Sequence, residues 1–244
     1  MSKLNQLENN LEILGLTKFK EQLEYSLSKQ ALDNQVYIDE LLYLTQAELD
    51  FRDERAKQIN IMISNFAMRK DLKDFDFTFQ PTVDKNRIND LLTLRFIERG
   101  ENVLFQGLPG TGKTMLSCII GKEAASNRIS TYFITCNDLL IALRKAKFEN
   151  KLEQVMKKYN KYKLLIIDEI GFLPLSKDDA NMFFQLLSQR YEKKSVIITT
   201  NVPFSKWGET FNDPVIATAI LDRLLHHSHI FQIDGPSYRT KDIL

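Results

Sequence analysis

The sequence predicts an α/β protein: a parallel β-sheet covered by helices on both faces, behind an all-helical N-terminal region. Three observations carry this. From Asn102 onward, short β-branched apolar runs alternate with helical stretches, as in a parallel sheet buried on both faces. No proline precedes Pro81, and leucines recur at helical spacing in the first part of the chain. A glycine-rich turn, Gly107 to Thr114, joins one apolar run to one helical stretch. The chain has 244 residues, enough for one sizeable α/β domain plus a smaller appendage.

Composition narrows the class. Hydrophobic residues make up 43% and charged residues 27%, an ordinary globular balance. No apolar run approaches the roughly 18 residues of a membrane span, so no membrane partner is expected. The opening MSKLNQLENN lacks the apolar stretch of a signal peptide, which points to the cytoplasm. Both cysteines, Cys118 and Cys136, sit in apolar stretches and read as buried thiols in a reducing compartment. A net charge of +1 supports no nucleic-acid role, so such a role has to come from local clustering.

In chain order, a first helix carries Leu4, Leu7 and Leu11 and breaks at Gly15. Thr17 offers an N-cap oxygen to a second helix, with Glu21 in its next turn and Leu23, Leu27 and Leu32 beyond. A longer helix is predicted from about Asp39 to Met68. Its charges (Glu48, Asp50, Arg52, Asp53, Glu54, Arg55, Lys57) suit a lever or interaction surface packed on one stripe. In the junction that follows Lys70, Phe75, Phe77 and Phe79 alternate with polar residues, as in an extended segment docking three rings. Pro81 disfavours helix in the residue before it. Another helix is expected from Lys85 to about Glu98, ending near Gly100. The strands are expected at 103–106, 131–135, 164–167, 196–200 and 230–233. The domains follow: residues 1–70 helical, 71–101 connector and first core helix, 102–244 the α/β core.

The first strand runs into Gly107-Leu108-Pro109-Gly110-Thr111-Gly112-Lys113-Thr114 and then a helix, MLSCIIGKEAA. This is GxxxxGK[ST] in its required strand–turn–helix setting. The glycines let the backbone turn so that its N–H groups share one concavity, and the helix N-terminus beyond attracts phosphate oxygens. Lys113 would reach the β- and γ-phosphates of ATP, and the Thr114 hydroxyl would take one Mg²⁺ position. The run Leu164–Ile167 then delivers Asp168 and Glu169 at a strand's C-terminal end, where ligands of parallel sheets bind. Asp168 would hold Mg²⁺, and Glu169 would act as general base on the attacking water. The adjacent acids argue for hydrolysis over transfer to a small-molecule acceptor.

Asn201 closes the strand Ile197-Ile198-Thr199-Thr200 and would sense the γ-phosphate or orient the water; turn chemistry explains an asparagine there equally well. Arg223 lies in a helical pattern and Arg239 follows Gly235-Pro-Ser-Tyr238. Each reads either as an arginine meeting phosphate charge or as an ordinary surface arginine.

The segments GLPGTGKT, LLIIDEIGFLPL, IITTNVPFSKWGE, ILDRLLHHSH and GPSYR, in this order, resemble the IstB proteins, ATP-binding helper proteins of insertion sequences within the AAA+ ATPases. FDFTFQPTVD and FIERGENVLFQG, upstream, resemble the same family, while the N-terminal helices match more loosely. The resemblance implies an AAA+ core with strand order 5-1-4-3-2 behind a helical N-terminal domain. It implies a weak ATPase that forms ATP-dependent homo-oligomers on DNA and helps a cognate transposase choose target DNA. By position Arg223 resembles the finger that completes a neighbour's site, and Arg239 resembles the sensor arginine. Five residues follow Arg239, so the superfamily's usual helical lid is expected to be absent. Bacterial helicase loaders share the ATP core and give the alternative reading. A small-molecule P-loop kinase is a third, against which Asp168, Glu169 and Arg223 count.

Basic residues crowd between Arg144 and Lys163: Arg144, Lys145, Lys147, Lys151, Lys157, Lys158, Lys161 and Lys163, opposed by Glu149 and Glu153 alone. Tyr159 and Tyr162 are interleaved. This composition suits DNA backbone contacts with aromatic stacking, and equally a solvated face. No base-reading motif is present, so shape and backbone recognition is the expected mode. His226, His227 and His229 are expected to pack beside the last strand rather than bind metal, because adjacent helical residues diverge. Trp207 is expected to anchor the loop after the fourth strand.

Overall fold

Apolar strands that leave neither face to water need helices on both sides, and the structure meets that requirement. It is a computed structural model describing residues 2–17, 19, 20, 23, 34–172 and 175–240. The chain divides into two compact units, residues 1–59 and 60–244.

In the first unit, α1 (Lys3–Leu14) is capped by the Ser2 hydroxyl, which accepts from Asn5 N, and ends at left-handed Gly15. Its Leu7 and Leu11 are fully buried with Leu23 and Ile38, the latter on α2 (Asn34–Ile63). The buried Asn10 amide donates to Thr45 Oγ1 at 3.3 Å. Helix α2 starts before the expected Asp39 and stops short of Met68. Asn65 takes a φ of 60°, and Ser64 and Asn65 are engaged elsewhere: Ser64 O accepts from Phe133 N, and the Asn65 amide donates to Phe133 O. Glu21, Leu27 and Leu32 lie outside the described residues.

The second unit holds a five-stranded parallel sheet, β1 (Asn102–Gly107), β2 (Thr131–Thr135), β3 (Leu164–Ile170), β4 (Ser195–Thr200) and β5 (Ser228–Ile233). The order is β2-β3-β4-β1-β5, the 5-1-4-3-2 arrangement. Every residue of β4 is buried, as its central position demands. Above the junction lie α3 (Lys85–Leu92) and α4 (Arg95–Glu98). The expected continuous helix breaks at Leu94, which is buried with a φ of 64°. Helices α5 (Lys113–Ser126), α6 (Cys136–Phe148), α7 (Leu152–Lys161), α8 (Lys177–Arg190), α9 (Trp207–Thr210) and α10 (Pro214–Leu225) follow. One face packs Leu104, Ile167 and Ile198 against α6, α8 and α10; the other packs Phe105, Ile166 and Ile197 against α3 and α5.

The segment around Phe75 is not extended. A 3-10 turn at Leu72–Asp74 leads into a turn held by the Asp76 carboxylate, which accepts from Thr78 N, Thr78 Oγ1 and Phe79 N. The rings dock as expected: Phe75 packs edge-on to Phe77 and Tyr238, and Phe79 lies 4.6 Å from Tyr238. Trp207 is fully buried between Phe204 and Phe211 after β4. Both cysteines are buried, and burial raises the Cys118 thiol to about 11 and that of Cys136 to about 12.

Candidate functional site

The chain leaves β1 at Gly107 and turns into α5 through Gly110 (φ 81°) and Gly112 (φ 95°), left-handed positions that favour glycine. A Cβ at Gly110 would also lie 2.0 Å from Ser237 Oγ. Gly112 caps α5 without a side-chain acceptor, so the first amides of a 14-residue helix keep their donors for a ligand. Lys113, Thr114 and Met115 line a cavity of about 430 Å³. The buried Lys113 ammonium donates to Gly107 O at 2.8 Å and Leu108 O at 2.7 Å, and Thr111 Oγ1 closes the turn onto Leu108 O.

Strand β3 brings Asp168 to the same place. The Thr114 hydroxyl lies 3.0 Å from both of its carboxylate oxygens, and Thr199 Oγ1 donates to Oδ1 at 2.5 Å. Burial pushes the Asp168 carboxyl above its ordinary value, opposed by the Thr199 and Thr114 hydrogen bonds. Burial pulls the Lys113 ammonium down, the Asp168 carboxylate works against that shift, and the Arg239 charge adds to it. Exposed Glu169 stands on the cavity wall with a φ of 62°. It also borders a smaller cavity of about 120 Å³ shared with Asn137 and Arg144. Asn201 lines the main cavity at the end of β4.

Arg239 lines this cavity. The segment after β5 folds back over the turn: Tyr238 N donates to Gly110 O at 2.8 Å and Tyr238 Oη to Asp76 O at 2.6 Å. The buried Gln80 side chain donates to Pro236 O at 2.6 Å. Sequence reasoning did not find Met68, Lys70, Asp74, Phe172, Tyr238 or Thr199 as lining residues. None of them falls in a recognisable phosphate motif; only their convergence in space marks them.

Arg223 is not in the cavity. Its NH1 donates to Ala219 O at 3.1 Å, and its guanidinium lies 4.5 Å from the Phe184 ring centre. It shares a crevice with Asn102 and Val196, near the starts of β1 and β4, so it stands at the opposite edge of the sheet.

The basic stretch is more heavily opposed than its own sequence indicates. Arg144 makes a two-pronged bond to Asp179, at 2.7 and 2.8 Å, and Lys147 pairs with Asp178 at 2.9 Å. Both acids lie on α8, too far along the chain for a local reading to find. Lys145 and Lys151 pair with Glu149, and Lys157 with Glu153. Among the described residues Lys158, Lys161 and Lys163 have no carboxylate partner, although Lys158 lies over the Tyr132 and Tyr159 rings. Tyr159 is 3% exposed and Tyr162 stacks on Tyr132, so the expected tyrosine stacking on bases loses Tyr159 to the core. His229, within β5, pairs with Glu101 just before β1, as a residue packed on the last strand should. His226 and His227 are instead exposed, because α10 ends at Leu225 and they sit in the turn beyond it. With Glu192 they bring three ligand atoms within 4.8 Å of one another.

The sequence profile of the family described as "IstB-like ATP binding protein" matches residues 9–244. The chain belongs to the IstB-like ATP-binding protein family. A protein of insertion sequence IS232 from Bacillus thuringiensis subsp. berliner, named for ATP binding, is 47% identical over 237 residues, 97% of this chain and 95% of the relative. The corresponding IS21 protein of Pseudomonas aeruginosa is 42% identical over 239 residues, 96% of this chain and 90% of its own length. Among solved structures, AMPPCP-bound DnaA from Aquifex aeolicus superposes with a TM-score of 0.56 at 20% identity, covering 73% of this chain and 55% of DnaA. DnaI superposes with a TM-score of 0.56 at 21% identity, covering 68% of this chain and 91% of DnaI. The family membership and these folds establish the core as AAA+.

Proposed function

We propose that this IstB-like chain binds and hydrolyses ATP, assembles on DNA in its ATP state, and assists the transposase of its insertion sequence in selecting target DNA. The convergence of Lys113, Thr114 and Glu169 on one cavity, with buried Asp168 bonded to the Thr114 hydroxyl, carries the reading. The amides of the Gly107–Thr114 turn would cradle the β- and γ-phosphates, and Lys113 would exchange its carbonyl partners for phosphate oxygens. The Thr114 hydroxyl and Asp168 carboxylate stand side by side as hard oxygen donors, the chemistry Mg²⁺ selects, and these two would hold it. When bound, Mg²⁺ neutralises phosphate charge. Glu169 takes the proton of the attacking water, and Asn201 orients that water. Arg239, on the rim, meets the phosphates. Arg223, remote from its own cavity, completes that of a neighbour, so hydrolysis loosens the subunit contact.

DNA contact would fall mainly to Lys158, Lys161 and Lys163, with Arg144, Lys145, Lys147 and Lys157 contributing where their pairs yield. No described helix is long and apolar enough to cross a membrane, and the reading is of a cytoplasmic protein. The helicase-loader alternative has only the fold it shares with DnaI in its favour; co-purification with the replicative helicase, absent the transposase, would establish it instead.

Sizing the purified protein with and without ATP, and with and without duplex DNA, tests the proposal. Larger particles are expected when ATP is present, largest with DNA, and Lys113→Ala should stay small throughout. A parent protein that remains monomeric in all four conditions would remove the assembly role. Calorimetry showing no uptake of Mg²⁺-ATP would remove the nucleotide role itself.

A further inference from the structure

The ladder between β3 and β4 runs in register to Ile167↔Ile198 and resumes at Ile170↔Thr200. Three steps along β3 are therefore matched by two along β4, and the extra residue lies in the Asp168–Glu169 pair. Glu169 absorbs the bulge with a φ of 62°, a costly conformation for a residue with a side chain. The bulge removes its amide from the regular ladder, and Thr199 supplies the replacement: Glu169 N donates to Thr199 Oγ1 at 2.9 Å. The single proton of that hydroxyl goes to Asp168 Oδ1. A carboxylate can only accept, so the direction of both bonds is fixed. Thr199 is 1% exposed and cannot exchange either partner for bulk water.

We propose that Thr199 is the positioning residue of the hydrolytic site, its one hydroxyl orienting Asp168 toward the metal while pinning the Glu169 backbone so that its carboxylate faces the cavity. This rests on the ATPase reading above. Thr114 also touches Asp168, but it is itself a candidate metal ligand; Thr199 stands behind the acids on the neighbouring strand. Outer partners of metal ligands typically contribute about 10- to 100-fold to affinity or activity, and Thr199 serves both acids at once.

Thr199→Val keeps the shape and removes the hydroxyl; Thr199→Ser keeps the hydroxyl. With Thr199→Val, turnover at saturating ATP should fall by about 100-fold. Mn²⁺ affinity of the ATP complex, read by electron paramagnetic resonance, should fall by about tenfold. Metal-free ATP affinity by calorimetry should hold within about threefold, since the phosphate turn is untouched. Thr199→Ser should recover most of both losses. A purely structural threonine would lower the melting temperature without this split, and parental turnover with parental Mn²⁺ affinity in Thr199→Val would overturn the inference. Should Thr199→Val fail to fold, hydrogen exchange in the parent decides: a protected Glu169 amide is expected, and one exchanging like an exposed loop amide overturns it. A parent that takes up no Mg²⁺-ATP would instead count against the ATPase reading.

Discussion

The two edges of the sheet use their polar residues in opposite ways. At the C-terminal edge, Lys113, Glu169, Asn201 and Arg239 gather around an open cavity, buried Asp168 is bonded to Thr114 on its wall, and the two bonds of Lys113 are to carbonyls that phosphate oxygens could replace. At the N-terminal edge the polar groups serve the fold. The Asn102 side chain accepts from Val196 N and donates to Leu224 O. Arg190, 1% exposed and with no acid partner among the described residues, spans Tyr159 O, Lys163 O and Ser195 O, and burial holds its guanidinium near 9. Arg223 is the exception there. It is half-buried, lies over Phe184, and among the described residues its guanidinium hydrogen-bonds the Ala219 carbonyl of its own helix alone. A cation so lightly used at the edge away from the phosphates is suited to a neighbouring chain.

Mixing subunits breaks or sharpens that contrast with the largest effect. Arg223→Ala alone should reduce turnover by about 10³-fold or more while leaving nucleotide binding nearly intact. Glu169→Gln alone should bind ATP and stay assembled without turning it over. Combined, the intact cavity of the Arg223→Ala chain faces the intact arginine of the Glu169→Gln chain. A phosphate-release assay on the mixture should therefore recover a substantial share of parental activity. A mixture as inactive as its components would place Arg223 among structural residues, with Arg190 and Asn102.

The same contrast explains what was legible in the sequence. Gly107 to Thr114 and Asp168–Glu169 were readable because a phosphate turn and a strand-end acid pair are contiguous, with each residue type dictated by chemistry. The strand order came through the family likeness rather than from the apolar runs, which do not encode neighbours. Thr199 was invisible: its role depends on a bulge in the adjacent strand, and nothing in Ile-Ile-Thr-Thr distinguishes it from a β-branched strand residue. The basic stretch is more heavily opposed than its own residues indicate because Asp178 and Asp179, on another helix, pair with Lys147 and Arg144. The histidine reading failed in part because the end of α10 was placed too late, which turned two turn residues into helical ones.

The basic residues divide along the same line. Arg144 borders the smaller cavity at the C-terminal edge and is tied to Asp179, whereas α7 carries Lys158 and Lys161 toward the start of β3 with no carboxylate partner among the described residues. Replacing Lys158 and Lys161 with alanine should weaken duplex binding evenly across sequences. It should also flatten the dependence of log affinity on log salt by about 0.9 for each DNA phosphate that the variant no longer neutralises. Arg144→Ala should change that slope little. Equal slopes for all three proteins, measured by fluorescence anisotropy from low to moderate salt, would remove the N-terminal edge as the DNA face.

The smallest effect concerns the acid that holds Arg144. Asp179 completes a capping box with Ser176 at the start of α8. Burial alone would raise its carboxyl, but the Arg144 and Ser176 hydrogen bonds outweigh burial and leave it below the ordinary carboxylate value. A depressed folded-state value means stabilisation that is present above the unfolded pKa, about 3.9, and lost as pH falls through the folded one. Asp179→Asn should therefore cost about 1 kcal/mol at pH 7, with the gap to the parent closing below about pH 4 as the parent's carboxyl is protonated. Urea midpoints at several pH values measure it. A gap that stays constant down to acid pH would mean that cap geometry, not the charge shared with Arg144, is what Asp179 provides, and Arg144 would then be free to meet phosphate like the lysines of α7.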